Sequence, residues 1–171
     1  MPIELDIDLA ELEGFALKLE ASRRDMEGAV RSAANKTARW ARTQIARGLA
    51  GRLGVPTAAL AGKRLKAKSS RNGARVWIAL APLNAYKAGP TKTARGLRAG
   101  RTDFAGAFVI AGKHGGRAAV QRRGSARLPL LAASLDIATP ATDEINSKVW
   151  PALNEQFITF YRAELDRRLG R

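Results

Sequence analysis

A chain of 171 residues, 46% hydrophobic and 26% charged, has the composition of a globular protein and the length of one domain. It contains no cysteine, which excludes disulfides, thiolate metal sites and thiol nucleophiles and fits a reducing compartment. A formal net charge of +15 excludes a neutral surface and points to a polyanion or an acidic protein as partner.

The charge is unevenly distributed. Residues 1–27 carry eight acids and three bases, residues 28–135 carry 22 bases and the single acid Asp103, and residues 136–171 carry six acids and five bases. The core is expected to be thin, because 33 residues are Ala and only 6% are aromatic. Such a chain gains stability by oligomerising. The acidic start lacks a long apolar run after basic residues, so no secretory signal is expected. The longest apolar stretch, near Leu128–Leu135, falls far short of the ~18 residues that span a bilayer. A soluble protein, or part of a soluble particle, is expected.

Pro2–Asp8 alternates Ile3, Leu5 and Ile7 with acids, the pattern of a half-buried strand. Leu9–Ala21 reads as a short helix. Met26–Ala50 is the strongest helical segment: Val30, Ala34, Ala38, Ala41, Ile45 and Leu49 share one face, with arginines elsewhere on the wheel. Pro56 suits the first turn of a short helix within Val55–Leu65. Lys66–Gly73 reads as a polar, basic loop and Ala74–Ala81 as a strand. Pro82–Asp103 is long for a connection without structure, which marks it as functional or as ordering only on assembly. Phe104–Ala111 and Arg117–Arg123 form a hairpin across the Gly-rich stretch Gly112–Gly116. Leu130–Ile137 is apolar and ambiguous. Thr142, followed by Asp143 and Glu144, suits the start of a last helix. Ile145, Val149, Leu153 and Phe157, continued by Phe160, Tyr161 and Leu165, mark its apolar stripe. Pro151 predicts a kink or break there.

Catalytic options are sparse. The one histidine, His114, falls in the hairpin turn, and nothing brings it together with Asp103 and Ser125 as a nucleophile system would require. Gly54 and Gly62-Lys63-Arg64 have the wrong spacing for a phosphate-binding loop and lack the hydroxyl residue after Lys. No enzyme activity, cofactor or metal is expected. The basic stretches Lys63–Arg75 and Lys87–Arg101 carry the better signal, since Lys and Arg neutralise phosphates without reading sequence. They suit DNA, an acidic protein or plain solvation. Trp77, Phe104 and Phe108 read as core residues rather than as base-stacking groups. Trp40 lies off the main face of its helix and suits either a subunit contact or the flank of the core.

The order of blocks is informative. Ala34-Asn35-Lys36-Thr37-Ala38-Arg39-Trp40-Ala41 lies on the long helix, and Val76-Trp77-Ile78 on a strand. Gly106-Ala107-Phe108-Val109-Ile110 leads into the hairpin. The return strand runs into Val120-Gln121-Arg122-Arg123-Gly124 and Arg127-Leu128-Pro129, before a closing helix. From about residue 28 to 169 this order resembles the minor tail protein Z family of lambda-like phages and prophages, the tail completion proteins. The resemblance implies a single, non-enzymatic tail-completion domain over residues 1–171, at the head-proximal end of the tail in the virion and assembled in the host cytoplasm. The implied role is in head–tail joining and in holding the DNA end near the neck. The implied partners are other copies of the chain in a hexameric ring, the tail terminator, tail tube and neck or connector proteins, and the genomic DNA end, with no membrane. The expected fold is α+β: a long helix and a C-terminal helix packed on a small, mostly antiparallel sheet of Pro2–Asp8, Ala74–Ala81, Phe104–Ala111 and Arg117–Arg123, with long basic loops. Lys63, Arg64, Lys66, Lys68, Arg71, Lys87, Lys92, Arg95, Arg98 and Arg101 are assigned to DNA or an acidic partner. Trp40, Phe108, Arg122, Arg123 and Arg127 are assigned to subunit contacts. The competing expectation is a stand-alone, sequence-independent nucleic-acid-binding protein.

Overall fold

The computed structural model describes residues 2–3, 23–62, 64–70, 73–111 and 115–170. The expected helix Leu9–Ala21, the strand Pro2–Asp8 beyond Ile3, Lys63, Arg71 and His114 lie outside the described residues. The fold is an α+β mix of a long helix, a C-terminal helix and small antiparallel sheets. It separates into two compact units, neither continuous in sequence. The first comprises Met1–Ile45, Lys63–Ala79 and Glu144–Arg171, and the second comprises Ala46–Gly62 and Leu80–Asp143.

Helix α1 (Arg23–Leu53) supplies its residues up to Ile45 to the first unit and the rest to the second. Asp25 in its first turn and Arg52 in its last complement the helix dipole. Its buried stripe runs through Ala29, Ala33, Thr37, Ala41, Ile45 and Leu49, one residue every helical turn. Thr37 is fully buried because its hydroxyl donates to the Ala33 carbonyl at 2.9 Å, so no polar group is left unpaired.

In the first unit this stripe meets the C-terminal helix α4 (Trp150–Arg168). Ala29, Ala33 and Ala34 are small enough to seat Phe157, Tyr161 and Leu165, which are all fully buried or nearly so. The Phe157 and Tyr161 rings stack at 6.3 Å and 12°. Burial pushes the Tyr161 hydroxyl pKa up. The same unit holds a three-stranded sheet in the order β1 (Pro2–Ile3), β3 (Gly73–Ile78), β2 (Leu65–Ser70). The segment expected as a polar loop, Lys66–Gly73, is therefore mostly strand β2. Its pairing with β3 runs from Leu65 opposite Ile78 to Ser70 opposite Gly73. The Arg42 Nε–H fastens the start of β2 by donating to the Leu65 carbonyl at 2.9 Å.

The chain expected to lack structure in the second unit is built of short strands. These are β4 (Leu83–Asn84), β5 (Thr91–Thr93), β6 (Gly96–Ala99) and β7 (Thr102–Ala105), with a 3-10 turn at Ala85–Ala88. β5, β6 and β7 form one antiparallel sheet. The run Phe104–Ala111, expected as one strand, divides at Gly106, which takes a left-handed φ of 69°. Its first part belongs to β7 and its second is β8 (Phe108–Ala111), in a different sheet. β8 pairs with β9 (Arg117–Arg122) as the expected hairpin, and β10 (Leu130–Ala132) completes that sheet. β11 (Ser134–Leu135) pairs with β4. Among the described residues the strands thus form four small sheets instead of the single expected one, and the left-handed turn at Gly106 separates β7 from β8.

Gly100 shows how tight these turns are. Its φ is +58°, and a Cβ there would collide with the Leu53 carbonyl oxygen. That carbonyl, left open by the end of α1, accepts instead from the Arg101 N–H at 2.9 Å. α2 (Thr57–Leu60) is the short helix predicted after Pro56.

Helix α3 (Ala138–Glu144) begins four residues before the expected start at Thr142. Asp136 accounts for the difference: its carboxylate accepts from the Ala138 N–H at 3.0 Å and the Thr139 N–H at 3.4 Å. Hydrogen bonds from Thr139, and then from the Ala138 N–H, hold the Asp136 pKa down. Pro151 neither breaks nor ends the helical run. The five residues Ile145–Val149 widen to a π-turn, and the Trp150 N–H donates to the Ile145 carbonyl five residues back. Pro151 then stands in the first turn of α4, directly after the π-turn.

Candidate nucleic-acid interface

The β2–β3 hairpin segregates its side chains by strand alternation. Leu65, Val76 and Ile78 point to the buried side. Lys66, Lys68, Arg75 and Trp77 are exposed on the opposite face. Register places Lys66 opposite Trp77 and Lys68 opposite Arg75, so the four side chains form two adjacent rungs. The Lys66 ammonium lies 6.0 Å from the centre of the Trp77 ring. Trp77 is 41% exposed and is therefore not the core residue that its strand position suggested. The missed signal was the alternation in Arg75-Val76-Trp77-Ile78: burying Val76 and Ile78 turns Arg75 and Trp77 outward together. Arg64, also assigned to this stretch, is half-buried and donates to the Ala79 carbonyl at 3.5 Å.

In the second unit, Lys87, Lys92, Arg95, Arg98 and Arg101 are exposed, but they stand on a 3-10 turn and a folded sheet instead of a flexible loop. Arg98 and Asp103 face each other across β6 and β7. They form a forked pair, with Nε to Oδ1 at 2.6 Å and Nη2 to Oδ2 at 2.8 Å. The hydrogen bond and charge of each partner raise the Arg98 pKa and lower that of Asp103. The one acid of the basic segment thus occupies one of the bases assigned to DNA.

Of the residues assigned to subunit contacts, Trp40 and Phe108 are half-buried. The Arg122 guanidinium stacks over the Phe108 ring at 5.6 Å. Arg123 and Arg127 are exposed in the segment leading to Leu128 and Pro129. Leu128 is 68% exposed, and Val109 and Leu131 stand on the same face of the β8–β9–β10 sheet at 39% and 43% exposure.

Among the described residues, the first unit contains one strongly perturbed carboxylate. Glu164 on α4 is buried and paired with Lys36 of α1 and, at 3.0 Å, with Arg167. Hydrogen bonds from Lys36, then Arg167, hold its pKa at about 2. This is a cross-helix clamp. Glu144 is also buried: one oxygen meets Lys148 at 3.0 Å, while Oε2 has no hydrogen-bond partner among the described residues. A groove lined by Ala34, Ala38, Ala41, Val76, Val149 and Trp150 is apolar. No three His, Cys, Asp or Glu side chains gather to hold a metal ion among the described residues, and no described helix is long and apolar enough to cross a membrane. Comparison with known proteins finds no matching family model, no matching curated protein and no matching solved structure.

Proposed function

We propose that the chain is a structural virion protein of a tailed phage: a tail completion protein of the minor tail protein Z type, acting at the head-proximal end of the tail. In this reading it makes the tail competent to join the head and holds the DNA end near the neck, and it does no covalent chemistry. It works as one of several copies in a ring, a hexamer, between tail terminator, tail tube and neck proteins. It is assembled in the host cytoplasm and carried in the virion. The observation that carries the reading is the ordered set of sequence blocks from the Ala34–Ala41 helix to the Arg122-Arg123-Gly124 and Arg127-Leu128-Pro129 segment. The exposed bases Lys87, Lys92, Arg95 and Arg101 support its DNA-facing side, since phosphate contacts of this kind tolerate any sequence. The exposed apolar face of Val109 and Leu131 supports contact with neighbouring subunits.

The alternative is a stand-alone nucleic-acid-binding protein, and Trp77 beside Lys66 favours it. Electron microscopy of lysates from the parent phage lacking this gene separates the two. Full heads beside unattached tails, or joined but non-infectious particles, are expected for tail completion. Normal infectious particles would overturn that role.

A further inference from the structure

We infer that the exposed face of the β2–β3 hairpin is a binding site for single-stranded nucleic acid, with Trp77 stacking on an unpaired base and Lys66 and Lys68 contacting the phosphates on either side. This goes beyond the tail reading and stands on observations independent of it.

Three features of the hairpin carry it. First, a tryptophan 41% exposed in mid-strand forgoes the burial that its size would otherwise secure, and register sets it between Lys66 of β2 and Pro2 of β1. Second, register fixes the spacing. Lys68 stands two residues from Lys66 on the same strand, Trp77 is directly opposite Lys66, and Arg75 is directly opposite Lys68. Third, the platform is rigid. All six residues of β2 are paired to β3, and Leu65, Val76 and Ile78 are buried behind the face. A pre-ordered ring and its flanking ammonium groups lose little freedom on binding.

The chemistry selects the form of nucleic acid. In a duplex the base faces are stacked on one another and closed to a side chain, whereas an unpaired base offers its π-face to an aromatic ring. Basic side chains alone would serve a duplex and a single strand alike. A tryptophan between them favours the strand whose nucleobases are open. Stacking does not depend on base identity, so little sequence preference is expected.

The test uses the full chain and two fluorescein-labelled probes of equal length, a 16-nucleotide oligo-dT and a duplex. Anisotropy titrations are run at several salt concentrations. The unmodified chain is expected to bind the single strand more tightly than the duplex. Trp77→Ala is expected to weaken single-strand binding about tenfold or more and duplex binding by much less. Trp77→Phe keeps a ring and should recover most of the affinity, which also controls for misfolding. Lys66→Ser with Lys68→Ser should weaken both probes and flatten the dependence on log salt by roughly 1.4–1.8, about 0.7–0.9 for each phosphate that is no longer neutralised. Three outcomes would overturn the site: equal weakening of both probes in Trp77→Ala, no weakening at all, or no binding of either probe at low salt. The last would assign the face to an acidic protein. None of these touches the tail reading, which fails separately if phage lacking the gene stay infectious.

Discussion

Glu164 owes its ionised state to two neighbours on different turns and helices. Lys36 reaches it from α1, and Arg167 approaches from three residues along α4. Both cations are about half or more exposed, so part of their attraction is screened by water. The carboxylate itself is buried, and its pKa falls from 4.5 to about 2. The folded state therefore binds this proton less readily than the unfolded chain. The stability it contributes is fully present above about pH 4.5, shrinks as pH falls, and is gone once pH passes below about 2. Replacing Glu164 with Gln should cost about 1–3 kcal/mol at pH 7, after allowance for screening. Near pH 2 the two proteins should differ much less. Urea unfolding at both pH values checks this, and an equal deficit at both would mean that the effect comes from packing instead of charge.

At the scale of elements, legibility in the sequence followed the strength of the periodic signal. Helix α1 and the apolar stripe of α4 were readable because Ala34, Ala38, Ala41, Ile45 and Leu49, like Leu153, Phe157, Tyr161 and Leu165, recur at helical spacing over many turns, although the buried stripe of α1 also takes in Ala33 and Thr37, which that spacing did not single out. The β8–β9 hairpin was readable because two β-rich runs flank a glycine-rich stretch. Strand β2 was not, because Lys66, Lys68 and two serines make Leu65–Ser70 look solvated; its strand state comes from pairing with β3, a tertiary interaction that composition does not reveal. The division of Phe104–Ala111 turns on one backbone angle at Gly106. Of the candidate site, the bases were legible from charge alone, but their grouping was not. Trp77 joins Lys66 only through cross-strand register, and Arg98 is taken up by Asp103 through the same kind of pairing. That pairing makes the β5–β7 sheet testable. Asp103→Asn removes the charge that holds Arg98 while keeping the shape of the side chain. Arg98 then becomes available to a polyanion, so the variant should elute from heparin at higher salt than the parent, with its thermal midpoint little changed because the pair is exposed. Unchanged elution would mean that this sheet does not face the bound polyanion.

For the whole molecule, ion pairing cannot remove the imbalance. Every acid that pairs with a base still leaves fifteen positive charges in excess, and the middle of the chain holds 22 bases against Asp103 alone. Bringing these bases together on folding raises their mutual repulsion, which opposes the compact state. Salt acts on both signs of interaction. It weakens attractive pairs such as Arg23–Glu27 and Arg52–Asp143, which are exposed and worth little, and it weakens repulsion among the far larger number of like-charge pairs. The second effect should dominate. The screening length falls from ~30 Å at 0.01 M to less than ~10 Å above 0.1 M, so repulsion across the surface is largely removed over that range. With 1 kcal/mol shifting the midpoint of a protein this size by about 2–4 °C, the melting temperature should climb by several degrees between 10 and 300 mM sodium chloride. Chloride is the right anion, because sulfate would stabilise any protein through exclusion from its surface. A melting temperature that fell over the same range would show that attractive pairs outweigh the excess charge, and that the chain does not need a polyanion or an acidic neighbour to reach its full stability.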